Sequence, residues 1–510
     1  GLQCVEAAAV FYQSDLKSDT PAHEAETIAT ARAFAEDCVR QMGQAESLPY
    51  LGTRQAVEDL EAFRQAMGDV KFWLYGESYG TQFAQTYTAA HPDHLAGLIL
   101  DGTVDLTLSG PDYLKEQAQA FNDVLASVLK DCNAKQECAA DAGGDALAVY
   151  DKLAARLARA PMTFTFPLPS GGKAVRSFAL ADLENAAANN VYAEGGRMLL
   201  QRALAAAARA DLVPLARLAY DALSLDPETL AAIPDPTWSD AVYYAVECND
   251  YEYFSGTAED RAQAYLRAGD VVDASIPRLS SIFYADLPCP FWPAHADPRP
   301  APLTADGIPT LVLGATADPA TPVANGERVF HRLADGFLIT TDGGAHVIFG
   351  RGDACPDEIV TAFLVEGKLP AQRETRCHGV IADDYVSLAP ADARAFADPL
   401  DALASAETEI TYLPEYYNWD GETTTSVGCP HGGALTFEAA GEDQFTLTSC
   451  AFSSGFVMTG RGTYNSDDDR FTLDVAVTGL ADGKLNYARE GDGTMTVTGE
   501  YGGKEVSFTK

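Results

Sequence analysis

A short turn between two regular segments constrains the fold most. The run Gly76-Glu77-Ser78-Tyr79-Gly80 follows an apolar stretch at 72–75 that predicts a buried strand, and precedes a segment with apolar residues at helical spacing. A second apolar stretch, 95–100, predicts the next strand. A G-x-S-x-G turn in this setting is typical of a nucleophile elbow, with a glycine-rich turn around an incidental serine as the alternative. We expect both glycines to be required, because a Cβ at 76 or 80 would collide where strand and helix approach.

Length and composition set broad limits. The 510 residues suffice for about two to four domains, and 47% of them are hydrophobic, as in an ordinary globular protein. No stretch approaches the roughly 18 consecutive apolar residues of a membrane span. The chain begins at Gly1 rather than Met, so we expect a processed or trimmed polypeptide. The net charge of −39 predicts a surface that repels nucleic acid and anionic membranes.

The ten cysteines fall into neighbouring pairs. These pairs are Cys4/Cys38, Cys132/Cys138, Cys248/Cys289, Cys355/Cys377 and Cys429/Cys450. An even count with local pairing predicts five disulfides and an oxidising compartment, hence a protein that is secreted or held in the cell envelope. Metal binding is the weaker alternative, because no cysteine or histidine cluster has zinc spacing. We predict no metal and no cofactor.

Residue patterns predict a divided chain. We predict one α/β core in two parts, residues 1–104 and 301–376. Between them we predict an inserted helical cap over the site, residues 105–300, with an independent helical domain as the alternative. Thr53 is a candidate N-cap for the helix that precedes the elbow strand. Residues 377–405 are expected to be a linker. Residues 406–510 alternate polar and apolar residues in short runs and predict an antiparallel β-sandwich or barrel.

Three residues have the order and placement of a catalytic triad. In α/β-hydrolases the chain order is serine, acid, histidine, and Ser78, Asp318 and His346 each follow a predicted strand in that order. Histidine would take the serine proton, and the aspartate would orient the imidazole. Asp101, at the end of the strand after the elbow, is the rival acid. The other histidines are read differently, His91 and His94 as surface residues and His331 as part of a helix.

The segments around these residues resemble a known family. The elbow segment, the Asp318 loop, Gly343-Gly344-Ala345-His346 and Ala245-Val246-Glu247-Cys248-Asn249-Asp250 are similar to α/β-hydrolase serine peptidases that include secreted tripeptidyl aminopeptidases and prolyl aminopeptidases. The resemblance covers roughly residues 1–380. It implies an exopeptidase that cleaves peptides near a free N-terminus through an acyl-enzyme. It also implies carboxylates in the cap that pair with the substrate's α-ammonium, for which Glu247 and Asp250 are the candidates, with solvated acidic residues as the alternative.

The chain departs from the family before Gly1. Members of the family place a glycine-rich oxyanion loop and the first strands there, so the hydrolase sheet is expected to lack its N-terminal strands. The backbone N–H of Tyr79 supplies one oxyanion donor. His431-Gly432-Gly433 resembles an oxyanion loop but is interpreted as a turn. We therefore expect a separate N-terminal fragment or chain to complete the core and supply the second donor.

Three functions follow as hypotheses. The first is a secreted serine aminopeptidase acting on short peptides, the second a carboxylesterase with the same triad, and the third a non-catalytic binding protein on a hydrolase scaffold. The role of the C-terminal β-domain is open between binding a glycan, docking a partner and covering the core. Asp467–Asp469 could hold calcium or form a solvated hairpin tip.

Overall fold

The structure, a computed structural model, describes residues 2–16, 18–293, 303–305 and 307–510. It contains two compact units. Unit 1 comprises Gly1–Asp131, Ala187–Met198 and Ala232–Asp383, and unit 2 comprises Cys132–Ala186, Leu199–Ala231 and Asp384–Lys510. The predicted helical cap, 105–300, is thus divided between the two units. Its expected boundary with the second part of the core, at 300 and 301, lies outside the described residues.

Fifteen strands are present in the described parts of the chain. They are β1 (Phe72–Glu77), β2 (Leu95–Asp101), β3 (Met162–Pro167), β4 (Lys173–Phe178), β5 (Thr310–Ala315), β6 (Gly336–Asp342), β7 (Glu374–His378), β8 (Thr425–Gly428), β9 (Ala434–Ala439), β10 (Asp443–Ser453), β11 (Phe456–Asn465), β12 (Arg470–Gly479), β13 (Gly483–Arg489), β14 (Met495–Tyr501) and β15 (Lys504–Thr509).

Sixteen α-helices accompany these strands over the same described residues. They are α1 (Val5–Tyr12), α2 (Pro21–Met42), α3 (Thr53–Ala66), α4 (Tyr79–Ala90), α5 (Gly110–Ala134), α6 (Gln136–Asp141), α7 (Ala146–Leu157), α8 (Leu180–Asn190), α9 (Glu194–Ala208), α10 (Val213–Ala222), α11 (Asp240–Asp250), α12 (Ala258–Ser275), α13 (Val323–Arg332), α14 (Ala354–Glu366), α15 (Pro399–Thr411) and α16 (Pro414–Tyr417).

A five-stranded parallel sheet forms the centre of unit 1. Its order is β1-β2-β5-β6-β7, and every neighbouring pair is parallel. The inner strands β2 and β5 are apolar and almost completely buried, as expected where helices cover both faces of a sheet. The register aligns Glu77 with Asp101 and Asp101 with Leu313. The carboxyl ends of β1, β2, β5 and β6 therefore meet at one edge of the sheet, where open α/β sheets bind ligands.

Two apolar clusters cover this sheet. One packs residues of α3, α4 and α13, among them Val57, Tyr87 and Phe330, against β2 and β5. The other packs Val360 and Phe363 of α14 against different residues of the same strands. A parallel sheet between helices, together with the antiparallel sheet described below, confirms the predicted fold class.

The remaining helices of unit 1 form a separate core. Residues of α1, α2, α11 and α12 pack around buried aromatic side chains such as Phe34 and Tyr244, whose rings meet edge to face at 4.6 Å. The Thr20 side chain accepts from the His23 N–H at the start of α2, and Gly43, with φ 64°, follows its last residue. By contrast, the N-cap of α3 is Gly52. The expectation for Thr53 is wrong, because Thr53 is the first helical residue.

Unit 2 is built on an eight-stranded antiparallel sheet. Strands β8 to β15 pair in chain order, and α15 packs on the sheet through residues such as Leu400, Leu403 and Ile410. The strands form one sheet, and no pairing joins β8 to β15 among the described residues. The structure therefore differs from the predicted sandwich or barrel, because a helix covers the apolar face that a second sheet or closure would otherwise bury.

Part of the predicted cap belongs to unit 2. Arg217 of α10 contacts Glu415 and donates to the carbonyl of Gly428. Arg202 of α9 donates to Glu409 at 2.8 Å and lies over the ring of Tyr412. These buried guanidinium groups join the helices to the antiparallel domain. Sequence periodicity could not reveal this, because the partners lie about two hundred positions apart.

The predicted linker, 377–405, also differs from the structure. Its first residues belong to β7, and its last belong to α15. The strand β7 is short, and the helix α15 is amphipathic. Each is stabilised by packing on a sheet, and local sequence patterns do not reveal such packing.

All five predicted disulfides are present. Cys4–Cys38, Cys248–Cys289 and Cys355–Cys377 lie in unit 1, and Cys132–Cys138 and Cys429–Cys450 lie in unit 2. Within the parts of the chain that the structure describes, none of the helices has the length and apolar character that a membrane span requires.

Candidate active site

Ser78 occupies a strained turn between β1 and α4. Its φ of 52° and ψ of −124° are unusual for a residue with a side chain, and such strain is concentrated at functional sites. Its N–H donates to the Asp101 carbonyl at 2.8 Å, which fixes the turn to β2. A Cβ on Gly76 would lie 2.2 Å from the Gly80 carbonyl oxygen, so glycine is required there. A Cβ on Gly80 would meet nothing within 4 Å, so the expectation for Gly80 is wrong.

Asp318 and His346 form a hydrogen-bonded pair at the same sheet edge. Asp318 follows β5 and His346 follows β6, and Nδ1 of His346 lies 3.0 Å from Oδ1 and 2.9 Å from Oδ2 of Asp318. Asp318 is 2% exposed. Its carboxylate also accepts from the backbone N–H of Ala320 and from both the N–H and the hydroxyl of Thr321. This set of donors orients the carboxylate, and its bond to Nδ1 leaves Nε2 of His346 for proton transfer.

Asp101, the rival acid, has other partners. Its buried carboxylate accepts from the backbone N–H groups of Ile348 and Phe349 at 2.9–3.1 Å and from the Tyr75 hydroxyl at 3.2 Å. Burial, with a smaller contribution from the charge of Asp318, raises the pKa of Asp101 to about 6. The imidazole therefore bonds to Asp318. Asp101 instead holds the loop that carries His346, through hydrogen bonds from its backbone.

Arg197 donates hydrogen bonds to both loops that carry the candidate acid and base. It is fully buried, and its guanidinium donates to the carbonyls of Ala317 at 2.6 Å, of Gly344 at 2.8 Å and of Ile381 at 2.9 Å. Burial lowers its pKa to about 10. Ala317 precedes Asp318 and Gly344 lies two residues before His346, so one side chain fixes the spacing of the acid and the base. The neighbouring Tyr192 accepts from the N–H of His346 through its carbonyl at 2.8 Å, and its ring meets the imidazole edge to face.

A large cavity in unit 1 opens onto the pair. Its volume is about 1140 Å³, and Ser78 and His346 both line it. Most of its wall is apolar and aromatic. The aromatic residues include Tyr113, Phe121, Tyr192, Trp238, Tyr243 and Tyr251. A cavity of this size accommodates a peptide of a few residues.

The two candidate amine-binding carboxylates lie in different surroundings. Glu247 lines the cavity, whereas Asp250 is not among the lining residues. The buried Asp250 accepts from the Thr53 N–H at 3.0 Å, the Thr53 hydroxyl at 2.5 Å and Gln82 Nε2 at 2.8 Å. It therefore caps the positive N-terminus of α3 from another helix. The same Thr53 hydroxyl contacts the Tyr79 hydroxyl, so Asp250 also orders the side chain that follows the nucleophile.

The predicted oxyanion donor is suitably placed. Tyr79 is the first residue of α4, and the first amides of a helix have no intrahelical acceptor. Its N–H is thus available beside Ser78 at the positive end of a helix. His431-Gly432-Gly433 lies in unit 2, where the Gly432 N–H donates to the Cys429 carbonyl and forms a turn before β9.

Sequence reasoning missed Arg197 and the link from Thr53 to Asp250. Arg197 stands just before Met198-Leu199-Leu200 in a helix, and a charged residue in an apolar helical segment is a weak signal of a buried guanidinium. Thr53 carried no such signal, because its partners are 26 and 197 positions away.

Comparison with known proteins agrees with this geometry. A model of the α/β hydrolase fold matches residues 38–142, and a model described as TAP-like protein matches residues 279–377. The first match includes the elbow, and the second includes Asp318 and His346.

Named relatives cover a larger part of the chain. Serine protease Hip1 of Mycobacterium tuberculosis is 30% identical over 359 residues, which are 66% of this chain and 64% of the relative. Tripeptidyl aminopeptidase of Streptomyces lividans is 25% identical over 74% of this chain and 67% of the relative. Putative hydrolase YuaR of Escherichia coli is 26% identical over 64% of this chain and 63% of the relative. The chain thus spans just under two thirds of the length of Hip1. The elbow, the buried acid–histidine pair and these matches agree: the chain has an α/β-hydrolase fold and is similar to serine peptidases that carry this fold.

Proposed function

We propose that the chain is a secreted serine aminopeptidase that cleaves short peptides near a free N-terminus. The observation that carries this proposal is the meeting of Ser78 and His346 at one cavity, with Asp318 bonded to Nδ1 of the histidine. The names of two relatives, a serine protease and a tripeptidyl aminopeptidase, support peptide substrates. Five disulfides support an oxidising, extracellular location.

The residues suggest the following chemistry. Ser78 Oγ attacks the scissile carbonyl carbon while His346 Nε2 takes its proton, and the oxyanion that forms accepts a hydrogen bond from the Tyr79 N–H. Imidazolium then gives the proton to the leaving amine, and the acyl-enzyme remains on Ser78. Water, deprotonated by the same imidazole, releases the acid product and restores the serine. Asp318 stabilises the imidazolium in both halves without itself taking the proton.

Ser78→Ala tests the nucleophile. We expect the release of p-nitroaniline from peptide p-nitroanilides by the complete protein to fall by about a thousandfold or more, because no acyl-enzyme can form. A fluorophosphonate label should attach to the parent at Ser78 and not to the variant. Retained hydrolysis in the variant, or failure of the parent to be labelled, would contradict the proposal, and an unlabelled parent would favour the binding-protein alternative.

Glu247 is proposed to pair with the substrate's α-ammonium. Removal of one charge-assisted bond typically costs about 1.5–3 kcal/mol, so Glu247→Gln should lower kcat/KM for free-amine peptides by roughly 10–100-fold. The same peptides with acetylated N-termini should be poor substrates for both proteins and show no such drop. Kinetics with the two substrate series measure the effect.

Asp235→Asn is the matched control. Asp235 is acidic and lines the same cavity, but its Oδ1 accepts from the Thr237 N–H and hydroxyl at 2.7 Å, within its own turn. We expect its replacement to leave the preference for a free amine intact. Equal turnover of free and acetylated substrates by the parent would instead favour an esterase or endopeptidase.

A further inference from the structure

Two histidines and a glutamate form a cluster away from the active site. Glu61 lies on α3, His91 follows the last residue of α4, and His94 lies directly before β2. One ligand atom from each residue lies within 4.8 Å of the others. Among the described residues, no other group of three or more His, Cys, Asp or Glu side chains has this geometry. The proposed peptidase chemistry uses none of these side chains.

The histidines present ring nitrogens to carboxylates. Nδ1 of His94 lies 3.0 Å from Oε2 of Glu61, and Nε2 of His91 lies 3.2 Å from Oε1 of Glu58. The two imidazole rings are nearly parallel, with centroids 5.4 Å apart. Glu58 and Glu61 are three residues apart on α3 and so share one helix face. One oxygen and two nitrogen ligand atoms thus lie close together, and Glu58 adds a carboxylate beside His91.

Glu61 is held in place by further bonds. Arg64 donates to both its carboxylate oxygens at 2.9 Å, and the Tyr87 hydroxyl donates to Oε2 at 2.9 Å. These bonds hold the carboxylate in one orientation. Outer-shell bonds of this kind orient carboxylate ligands in metal sites.

We propose that His91, His94 and Glu61, with Glu58 as a further carboxylate, bind a divalent transition-metal ion such as Zn²⁺. Two imidazoles and carboxylates suit zinc and its neighbours, whereas calcium and magnesium prefer oxygen ligands alone. Ligands of tetrahedral zinc lie about 3.4 Å apart at bond lengths near 2.1 Å. To reach this spacing, the ligand side chains must therefore shift by about 1 Å.

The surroundings allow such shifts and favour a cation. The side chains of His91, His94 and Glu58 are 19%, 34% and 62% exposed, which gives an ion access and leaves the outer ligands room to move. The positive charge of Arg64 opposes binding. The two carboxylates and the net charge of −39 favour it. Without a metal, the same contacts are histidine–glutamate pairs.

Titration calorimetry with ZnCl₂ tests the site. The protein is used without a histidine tag, stripped with a chelator and dialysed near pH 7.5. We expect one equivalent of Zn²⁺ to bind to the parent, and no saturable binding in the same range to the double variant His91→Ala, His94→Ala. Tyr87→Phe, which removes an outer-shell bond, should weaken binding by about tenfold.

His331→Ala is the control for loss of an ordinary exposed histidine on α13, and it should bind Zn²⁺ as the parent does. Circular dichroism of the metal-free proteins checks that each variant folds, and Zn²⁺ should raise the melting temperature of the parent but not of the double variant. Equal Zn²⁺ affinity in parent and double variant, or no saturable binding to the folded parent, would overturn the proposal. Because calorimetry does not depend on hydrolysis, the result is independent of the proposed peptidase activity.

Discussion

At the scale of single residues, two buried aspartates at neighbouring strand ends have different partners. Asp318 contacts the imidazole directly, whereas Asp101 accepts from the backbone two and three residues beyond His346. Both follow strands of the same sheet, and sequence alone left both as candidate acids. The distinction depends on which way each loop turns after its strand. Contacts between loops determine that direction, and the strand patterns do not.

Asp101→Asn should reveal the cost of the buried charge. Burial raises the pKa of Asp101 from 3.8 to about 6, so the folded state binds more protons than the unfolded state between these values. The parent therefore loses stability as pH rises through this window, by up to about 3 kcal/mol, and the loss is complete above pH 6. The free energy of unfolding of Asp101→Asn, relative to the parent, should rise by a comparable amount from about pH 4 to pH 7. Urea unfolding at the two pH values measures it.

Asp105→Asn is a control with the opposite sign. Burial raises the pKa of Asp105, but hydrogen bonds from Arg332, Arg328 and Thr107 outweigh burial and leave the pKa below its usual value. The ionised Asp105 therefore stabilises the folded parent at pH values above the pKa of Asp105 in the unfolded chain, and this stabilisation is lost as pH falls. Asp105→Asn should thus become more destabilising relative to the parent as pH rises. A pH-independent difference for either variant would contradict the assignment.

At the scale of elements, the elbow shows both the success and the limit of local patterns. Strand, turn, helix and second strand lie where the sequence predicts them, because each has its own apolar periodicity and the turn has its own glycine chemistry. The two glycines, however, are not equivalent. Gly76 lies where the strand meets the first helical turn, and Gly80 lies inside that turn with open space beside its Cα.

Alanine at each glycine should therefore give opposite results. Gly76→Ala places a Cβ against the Gly80 carbonyl, so we expect loss of hydrolysis and a destabilisation of several kcal/mol. Gly80→Ala adds a better helix former within α4 and should stabilise the protein by up to about 1 kcal/mol with activity retained. Thermal unfolding and peptide hydrolysis of both variants check this. Equal damage at both positions would show that the turn rejects any side chain.

What the sequence could not predict shares one physical origin. The candidate triad, the disulfide pairs and the parallel strands follow from local periodicity, residue spacing and chain order. The buried Arg197 and the helices that belong to unit 2 depend on partners more than a hundred positions away, and the short strand β7 pairs with β6, 36 positions earlier. Arg197 satisfies carbonyls from several loops at once, and no local window contains that information. The helix α15 likewise covers the antiparallel sheet, where strand patterns alone suggested a second sheet or a closed ring.

At the scale of the whole molecule, the charge imbalance is the dominant property. The chain carries 74 acidic and 35 basic residues, for a net charge of −39. A field of this sign attracts cations over distances set by the Debye length, about 30 Å at 0.01 M salt and 8 Å at 0.15 M. Peptides with a free α-amine and basic side chains would thus be concentrated near the protein, and acidic peptides would be repelled.

Salt dependence should follow the charge of the substrate. For a dicationic p-nitroanilide peptide we expect kcat/KM to fall by about tenfold or more from 0.01 M to 0.5 M NaCl, because screening removes long-range attraction. For a peptide of the same length with no net charge, kcat/KM should change little, and for an anionic peptide it should rise. Steady-state kinetics on the three peptides at fixed pH measures these slopes. If kcat/KM depended on salt concentration in the same way for all three peptides, salt would be acting on the conformation of the protein. The surface charge of the protein would then have no part in substrate capture.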